Sequence, residues 1–244
     1  SNPAGGIVGP GNTSGCSPQT FVFNISGTQN NTPGTIYTVT FNDGTPAQIF
    51  NHPPPTSIPH TFITGSCGTT SSNGIISFPN AFSANFVAEN PCGVSAGSVV
   101  PIYISLPVVA DFTVTPACVN NPVMFTDISL GEDIIPNGQN AVCNSNFPRV
   151  WSISPPLGWN ITTGLLGSTG IYTGPNFDPY MWTSGSTTLG VSFTTPGTYT
   201  MQLIAANSCG PDTIEKTFCV QAPLSTSFVI DSNSVSGCGP LAVT

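Results

Sequence analysis

Two short cysteine patterns recur along this chain of 244 residues, and the repetition limits the folds that are open to it. Small residues precede a cysteine, just before an apolar segment, at Cys16, Cys118 and Cys238. An Asn-x-Cys-Gly sequence stands at residues 90–93 and again, 117 residues later, at 207–210. Self-similarity at a nearly fixed period indicates tandem copies of one structural unit. The sequence therefore predicts two complete units and the beginning of a third.

A proline marks the end of each of the first two copies, at Pro107 and at Pro223. Because proline has no N–H to donate to a sheet ladder, we expect the last strand of each copy to end there. We therefore predict β-sandwich units at residues 1–107 and 108–223, and the start of a truncated third unit at 224–244. The connection between the units is short, which favours a semi-rigid rod.

Apolar and polar residues alternate in most segments, and Gly, Pro and Asn punctuate them, which indicates short antiparallel strands. The equivalent segments 82–88 and 199–205 each carry an apolar residue at every second position. Alternate residues of a strand face the same side, so these positions should be the buried faces of corresponding strands. The predicted fold class is all-β, built from tandem antiparallel β-sandwich domains.

The balance of charge excludes one class of partner. Lys and Arg together number 2 against 10 Asp and Glu, which gives a formal net charge of −8. Nucleic-acid binding depends on clustered basic side chains and is excluded. No apolar run is long enough to span a membrane as a helix. The hydrophobic fraction of 39% indicates a folded chain rather than a disordered one.

The residues that usually carry catalysis or bind metals are few and scattered. The two histidines, His52 and His60, lie in a proline-rich stretch of the first copy, and the second copy has none. Calcium could be bound by Asp43, or by Glu132 with Asp133, but the several carboxylates that such a site needs are missing. The pair Glu132 and Asp133 is most simply the solvated tip of a loop. We therefore predict no catalytic, metal or cofactor site and no enzyme activity.

Two long segments and three aromatic residues are the remaining candidates for binding. Residues 45–61 and 130–147 are the longest stretches without alternation, and long loops on a sandwich often carry function. Trp159, Tyr180 and Trp182 could form an aromatic platform for a sugar. The alternative for these rings is ordinary packing.

The first copy resembles a PKD domain at Phe-Asn-Asp-Gly-Thr, residues 41–45, and at Ile-Pro-His-Thr-Phe, residues 58–62. The second copy resembles the penultimate strand of that family, from Thr-Pro-Gly-Thr-Tyr at 195–199 to Asn207. It departs at 154–158, where Ser-Pro-Pro-Leu-Gly replaces the Asp-Gly turn. The resemblance implies a seven-stranded Ig-like sandwich for each copy.

Cysteine-containing copies of this kind, rich in Thr, Asn and Gly, resemble the giant gliding-motility surface adhesins of Bacteroidetes (SprB-like), which the type IX secretion system exports. This resemblance implies an extracellular, outer-membrane-associated filament. Its partners would be a substratum or surface polysaccharide or protein ligand, and the secretion and motility machinery of the cell envelope. The sequence Asp-Thr-Ile at 212–214 matches an O-glycosylation pattern of that phylum and makes Thr213 a candidate.

The Ig-like strand order implied by the resemblance suggests how the cysteines pair. Loops at one pole of the second copy would bring Cys118 near Cys219. Loops at the other pole would bring Cys143 near Cys209. The pairs expected from this order are Cys118–Cys219, Cys143–Cys209 and, in the first copy, Cys16–Cys67. Cys92 and Cys238 are left without a partner. Such bridges persist in an oxidising compartment.

The function predicted from the sequence is a non-catalytic repeat segment of a large cell-surface adhesin, acting as a semi-rigid stalk for attachment and gliding. The alternative is an accessory or carbohydrate-binding module of a secreted multidomain hydrolase.

Overall fold

The computed structural model describes residues 1–137 and 140–222, and its regular structure is almost entirely β-strand. The first ten strands are β1 (Gly6–Val8), β2 (Ser14–Cys16), β3 (Gln19–Ser26), β4 (Ile36–Phe41), β5 (Gln48–Asn51), β6 (Ser57–Phe62), β7 (Thr70–Ser72), β8 (Ser77–Pro79), β9 (Phe82–Asn90) and β10 (Gly93–Val109). The following strands are β11 (Phe112–Val114), β12 (Pro122–Asp127), β13 (Leu130–Asn137), β14 (Asn140–Asn144), β15 (Arg149–Ser154), β16 (Trp159–Thr163), β17 (Thr188–Phe193), β18 (Gly197–Asn207) and β19 (Gly210–Val220).

The expectation of an all-β chain is confirmed. The helical elements of the described residues are two single-turn 3₁₀ segments, Gly174–Asn176 and Pro179–Met181. No helix of this part of the chain is long and apolar enough to cross a membrane. The predicted third copy, residues 224–244 with Cys238, lies outside the described residues.

Two sheets enclose the core of the first half. Strands β1, β3 and β6 form one sheet, and β5, β4, β9 and β10 pair in that order in the other. Every second residue of β3 and β6 is buried, so one face of their sheet packs inwards. The core residues from the two sheets form a single cluster, which includes Phe21, Phe23, Tyr37, Phe41, Phe62, Phe86, Ile102 and Ile104.

The second half repeats this layering with its own core. One sheet has the order β11-β12-β17-β16 and the other β15-β18-β19. The cluster between them includes Phe112, Phe125, Trp151, Leu189, Phe193, Met201 and Leu203. Trp151 is 2% exposed, and its indole N–H donates to the carbonyl of Ser186 at 2.8 Å. This bond satisfies the one polar atom of a buried ring.

The predicted correspondence between segments 82–88 and 199–205 is visible in the structure. They lie within β9 and β18, and all eight of the predicted inward positions are buried. These positions are Phe82, Ala84, Phe86 and Ala88 in β9, and Tyr199, Met201, Leu203 and Ala205 in β18. The alternating pattern therefore indicated the correct faces of both strands.

The expectation that a strand ends at Pro107 is wrong, because β10 continues to Val109 and joins the two halves. Its last residues pair with β13, through Leu106 with Glu132 and Val109 with Leu130. The register shifts between these two pairs, so Pro107 lies within a bulge. A bulge leaves a residue out of the ladder, and a proline is tolerated there because it has no N–H to lose.

The two segments expected to be irregular contain strands. Residues 130–147 include the antiparallel hairpin of β13 and β14, which has no counterpart between β3 and β4 of the first half. Residues 45–61 include β5 and most of β6. In β6 the buried positions do alternate, but Pro59 and His60 disguise the apolar pattern. The β13–β14 hairpin lies at the contact between the halves and has no simple alternation of buried and exposed faces.

Candidate functional site

The two disulfides of the described residues both connect the first half to the second. Cys16 is bonded to Cys209, a sequence separation of 193, and Cys67 to Cys143, a separation of 76. The predicted pairs Cys16–Cys67, Cys143–Cys209 and Cys118–Cys219 are therefore wrong. Cys118 and Cys219 carry free thiols, as does Cys92.

The physical reason for this correction is the way the halves meet. Cys16 and Cys67 lie at the same end of the first half: Cys16 pairs with Ser105 of β10, and the residue before Cys67 donates its N–H to the carbonyl of Ile104 at 2.9 Å. Cys143 lies on β14 of the second half, close to the turn that carries Cys209. Cysteines at facing ends thus bond across the contact instead of within each end. We call this contact, formed by residues 105–111, the β13–β14 hairpin and the turn 207–210, the junction.

A buried carboxylate, Asp133, lies at the centre of the junction. It is 1% exposed, so the expectation of a solvated loop tip is wrong. Its Oδ1 accepts hydrogen bonds from the hydroxyls of Ser105 at 2.9 Å and Ser208 at 2.5 Å, and its Oδ2 accepts from the Ser208 N–H at 2.9 Å and from the Tyr180 hydroxyl. The donors come from β10, from the turn between β18 and β19, and from the second 3₁₀ segment.

These donors decide the protonation state of Asp133. Burial alone would raise the pKa of this carboxyl, but the hydrogen bonds from Ser208, Tyr180 and Ser105 outweigh burial and hold the pKa below its usual value. In turn, burial and the neighbouring carboxylate raise the pKa of the Tyr180 hydroxyl. Asp133 is therefore an ionised acceptor whose lone pairs are occupied. Its chemistry is that of a structural anchor and not of a proton carrier.

Further polar contacts cross the junction around this centre. The side-chain amide of Asn207 donates to the carbonyl of Leu106 at 2.7 Å, and that of Asn80 to the carbonyl of Ala141 at 2.8 Å. The N–H of Ala110 donates to Asp212 at 2.8 Å. A small apolar cluster of Val108, Ala110, Phe147 and Ala205 packs beneath them. Covalent and polar contacts thus join the same two surfaces, and the apolar cluster supports them from within the second half.

The histidines of the first half are held by local hydrogen bonds. Nδ1 of His52 lies 2.9 Å from the hydroxyl of Tyr37. Nε2 of His60 lies 2.7 Å from Oδ2 of Asp43, and its ring stacks on Phe41 with 3.6 Å between the ring centres. The pair of His60 and Asp43 is buried beside the first core. Packing and hydrogen bonding account for both rings.

The carboxylate of Asp43 is occupied in the same way. Burial raises its pKa, but hydrogen bonds from Thr45 and His60 outweigh burial and lower it overall. Within residues 1–137 and 140–222, no group of three or more His, Cys, Asp or Glu side chains is placed to hold a metal ion. The residues considered for calcium, Asp43 and the pair Glu132 and Asp133, therefore serve other contacts or lack further ligands.

The three rings considered as a sugar platform do not form one exposed face. Trp182 is 8% exposed, and its indole N–H donates to the carbonyl of Tyr172 at 2.9 Å. Trp159 packs against the second core. Tyr180 is 43% exposed, but its hydroxyl is used by Asp133. The candidate glycosylation residue Thr213 lies on β19 with its side chain exposed.

Sequence reasoning missed the junction residues Asp133, Ser208 and Asn207. Only the repeated Asn-x-Cys-Gly sequence signalled that the turn at 207–210 has a defined structure. Asn207 accepts the N–H of Cys209 at 2.9 Å in this turn and is itself fully buried. A buried asparagine in a repeated turn is a structural signal, but the sequence does not show which surface buries it.

Comparisons with known proteins give similarities among solved structures. No protein-family model matches the chain, and no curated protein matches it. Among solved structures, the C-terminal domain of the AgI/II polypeptide BspA of Streptococcus agalactiae is similar over 89% of this chain and 99% of that one, at 8% identity and a TM-score of 0.37. A Corynebacterium diphtheriae protein described as membrane anchored is similar over 90% of this chain and 59% of its own, at 12% identity and a TM-score of 0.29. At TM-scores below 0.5, neither similarity identifies a fold or a function.

Proposed function

We propose that this chain is a non-catalytic, force-bearing segment of an extracellular surface protein, a stalk made of tandem Ig-like, PKD-like sandwiches. The units are residues 1–107 and 108–223, and a third begins at 224. The observation that carries the proposal is the Cys16–Cys209 disulfide, which closes a loop of 193 residues around nearly all of both cores. A pull on the two ends of the chain passes through this bond, so the strands between residues 16 and 209 are shielded and only the terminal strands outside the loop, among them β1 and β19, are loaded.

The location follows from the chemistry of the sulfur bridges. Disulfides form and persist outside the cell or in similarly oxidising compartments, and are reduced in most cytosols. The near absence of Lys and Arg also leaves few sites for trypsin-like proteases. An extracellular protein benefits from both properties.

The junction supports the stiffness that a stalk requires. Strand β10 continues from one half into the other, two disulfides flank it, and the buried Asp133 connects three elements across it. Domains joined by a short flexible linker move relative to one another unless their interface is large and well packed. Here, bending would have to break the hydrogen bonds of Asp133 while both covalent links stay closed.

The resemblances extend the proposal to a particular biological setting. The stalk would belong to an outer-membrane-associated adhesin of the gliding Bacteroidetes type, exported by the type IX secretion system and bearing a sugar on Thr213. Its ligand would be a polysaccharide or protein of the substratum. The alternative, an accessory or carbohydrate-binding module of a secreted hydrolase, needs an exposed aromatic surface, which the burial of Trp182 disfavours.

Single-molecule pulling from the two ends tests the proposal. In the wild-type chain the Cys16–Cys209 bond hides 193 residues, so only the terminal segments extend. Adding a reductant should release these residues, about 650 Å of additional contour length at roughly 3.4 Å per residue. In the double variant Cys16→Ser, Cys209→Ser the 76 residues closed by the second disulfide stay hidden, so 193 minus 76, or 117, residues extend. Their contour length is about 400 Å.

The Cys219→Ser variant is the matched control, since it removes a free, exposed thiol and should leave the wild-type trace unchanged. If the oxidised wild type instead lengthens like the reduced protein, the bond does not shield the cores and the proposed mechanical role fails.

A further inference from the structure

Three cysteines of the described residues have free thiols, and two of these occupy the same places as the bonded pair Cys16 and Cys209. Cys92 is exposed and Cys118 is partly exposed. The backbone around each of these two thiols matches the backbone around one member of the Cys16–Cys209 bond.

Cys118 corresponds to Cys16. Cys16 pairs in parallel with Ser105 at the end of β10, and Cys118 pairs in parallel with Gln221 just after β19. In both copies the residue after the cysteine donates its N–H to the carbonyl of that same partner at 2.9 Å. The two thiols therefore leave the same backbone position at the same end of equivalent sandwiches.

Cys92 corresponds to Cys209. Each lies in the turn of the last hairpin of its copy, two residues after an asparagine. The Oδ1 of Asn90 accepts the N–H of Cys92 at 2.8 Å, and the Oδ1 of Asn207 accepts that of Cys209 at 2.9 Å. The two turns thus share their side-chain-to-backbone hydrogen bond as well as their sequence.

The surroundings of the two turns correspond as well. The side-chain amide of Asn207 donates to the carbonyl of Leu106, in the strand that enters the second copy. The side-chain amide of Asn90 donates to the carbonyl of Ser1 at 3.2 Å, in the segment that enters the first copy. The Cys92 turn is therefore folded as the Cys209 turn is.

We propose that Cys118 and Cys92 are the two halves of a further inter-copy disulfide, and that the partner of each is another copy of this fold. Cys118 would form a disulfide with the cysteine in the Asn-x-Cys-Gly turn of a copy that follows. Cys92 would form a disulfide with the cysteine equivalent to Cys118 in a copy that precedes. This inference rests on the proposed stalk and deepens it: the same disulfide staple recurs at successive junctions. Head-to-tail contacts of this kind build an open filament whenever the rotation from one copy to the next does not close a ring.

The chemistry requires an external oxidant. The two thiols lose two protons and two electrons when the sulfur–sulfur bond forms, and a small disulfide such as oxidised glutathione takes them up to give two thiols. A single link is expected at each such contact of this chain with another molecule. The second link, Cys67–Cys143, needs the β13–β14 hairpin, and the first copy has no equivalent hairpin.

The competing product is a bond between Cys118 and Cys219, because both line one shallow pocket near the end of β19. Cys219 lies two residues before Gln221, and the equivalent residue of the first copy, two before Ser105, is Tyr103. The first copy thus offers Cys16 no cysteine on its own last strand, and Cys16 bonds the neighbouring copy. The second copy differs from the first in this respect, so the Cys118–Cys219 bond is the alternative product that the experiment has to distinguish.

The test uses the full chain carrying Cys238→Ser, at millimolar concentration, with oxidised and reduced glutathione. We expect a ladder of covalent multimers on a non-reducing gel, which dithiothreitol collapses, and a Cys92–Cys118 peptide in the mass spectrum. Adding Cys92→Ser or Cys118→Ser should reduce the multimers at least tenfold, whereas Cys219→Ser should leave them unchanged. Unaltered melting temperatures would show that the variants are folded.

Two outcomes would overturn the inference. One is a Cys118–Cys219 bond as the main product, and the other is a monomeric chain whose Cys92 and Cys118 both remain as thiols. In either case the Cys16–Cys209 bond and the pulling experiment are unaffected, so the proposed function would stand or fall separately.

Discussion

Replacing Asp133 tests whether the buried carboxylate holds the junction together. In Asp133→Ala its donors lose their acceptor. The Tyr180 hydroxyl and the Ser208 groups are near the surface and recover water. The hydroxyl of Ser105 is only 5% exposed and does not, and the N–H of Ile134 loses one of its two acceptors. Only the buried donors should therefore carry the full cost of the substitution.

The expected magnitude follows from these two groups. The buried Ser105 hydroxyl is left without an acceptor, which costs about 1–3 kcal/mol, and the Ile134 N–H, which keeps its bond to Ser105, adds a smaller loss; the alanine variant should therefore lose about 3 kcal/mol of unfolding free energy. In Asp133→Asn the new NH₂ group can face the two serine hydroxyls, which rotate to accept from it, while the remaining oxygen keeps the Ser208 N–H and Tyr180. The asparagine variant should therefore lose less, about 1 kcal/mol.

Scanning calorimetry at neutral pH measures these losses. For a chain of this length 1 kcal/mol corresponds to about 2–4 °C, so the alanine variant should melt about 6–12 °C lower and the asparagine variant about 2–4 °C lower. Glu89→Gln is the matched control, because it removes the same charge from an exposed side chain and should shift melting by less than about 2 °C. Equal melting temperatures for Asp133→Ala and Glu89→Gln would refute the role given to Asp133.

Three further predictions concern the two cores. Arg149→Met leaves Asp127 buried without its ion-pair partner at 2.5 Å and should cost about 3–5 kcal/mol in urea unfolding, most of which a second change, Asp127→Leu, should restore. Asp43→Asn should lower the free energy of unfolding at pH 7. Because the pKa of Asp43 is lowered in the folded chain, the difference in unfolding free energy between wild type and variant should shrink as the pH drops below about 4 and through that pKa. Phe62→Ala should cost about 3–5 kcal/mol in the same unfolding assay, and the exposed Ile75→Ala less than about 0.5 kcal/mol.

The alternating pattern predicted the sandwich cores because burial within one unit depends on local sequence. Phe82 and Tyr199, for example, are buried at the equivalent places their spacing indicates. The same reasoning failed at Pro107, since a bulge allows a strand to pass through a proline and local sequence does not show the partner strand. Strand periodicity thus predicts faces better than it predicts ends.

The junction could not be predicted, because it depends on how two units meet. The predicted bonds Cys16–Cys67 and Cys143–Cys209 are wrong, because the sequence gives no information on whether the cysteines of one end bond to one another or across the contact. Asp133 looked like a loop residue for the same reason: its donors come from positions 28, 47 and 75 residues away along the chain. Long-range contacts of this kind leave no periodic signal.

Disulfide mapping of the native protein tests the central claim most directly. Digestion with pepsin at low pH, which suppresses thiol exchange and does not depend on Lys or Arg, should give linked peptides containing Cys16 with Cys209 and Cys67 with Cys143. These links would show that the two sandwiches are clamped to one another. Peptides joining Cys16 to Cys67 and Cys143 to Cys209 would instead place each bond within one unit and contradict the account.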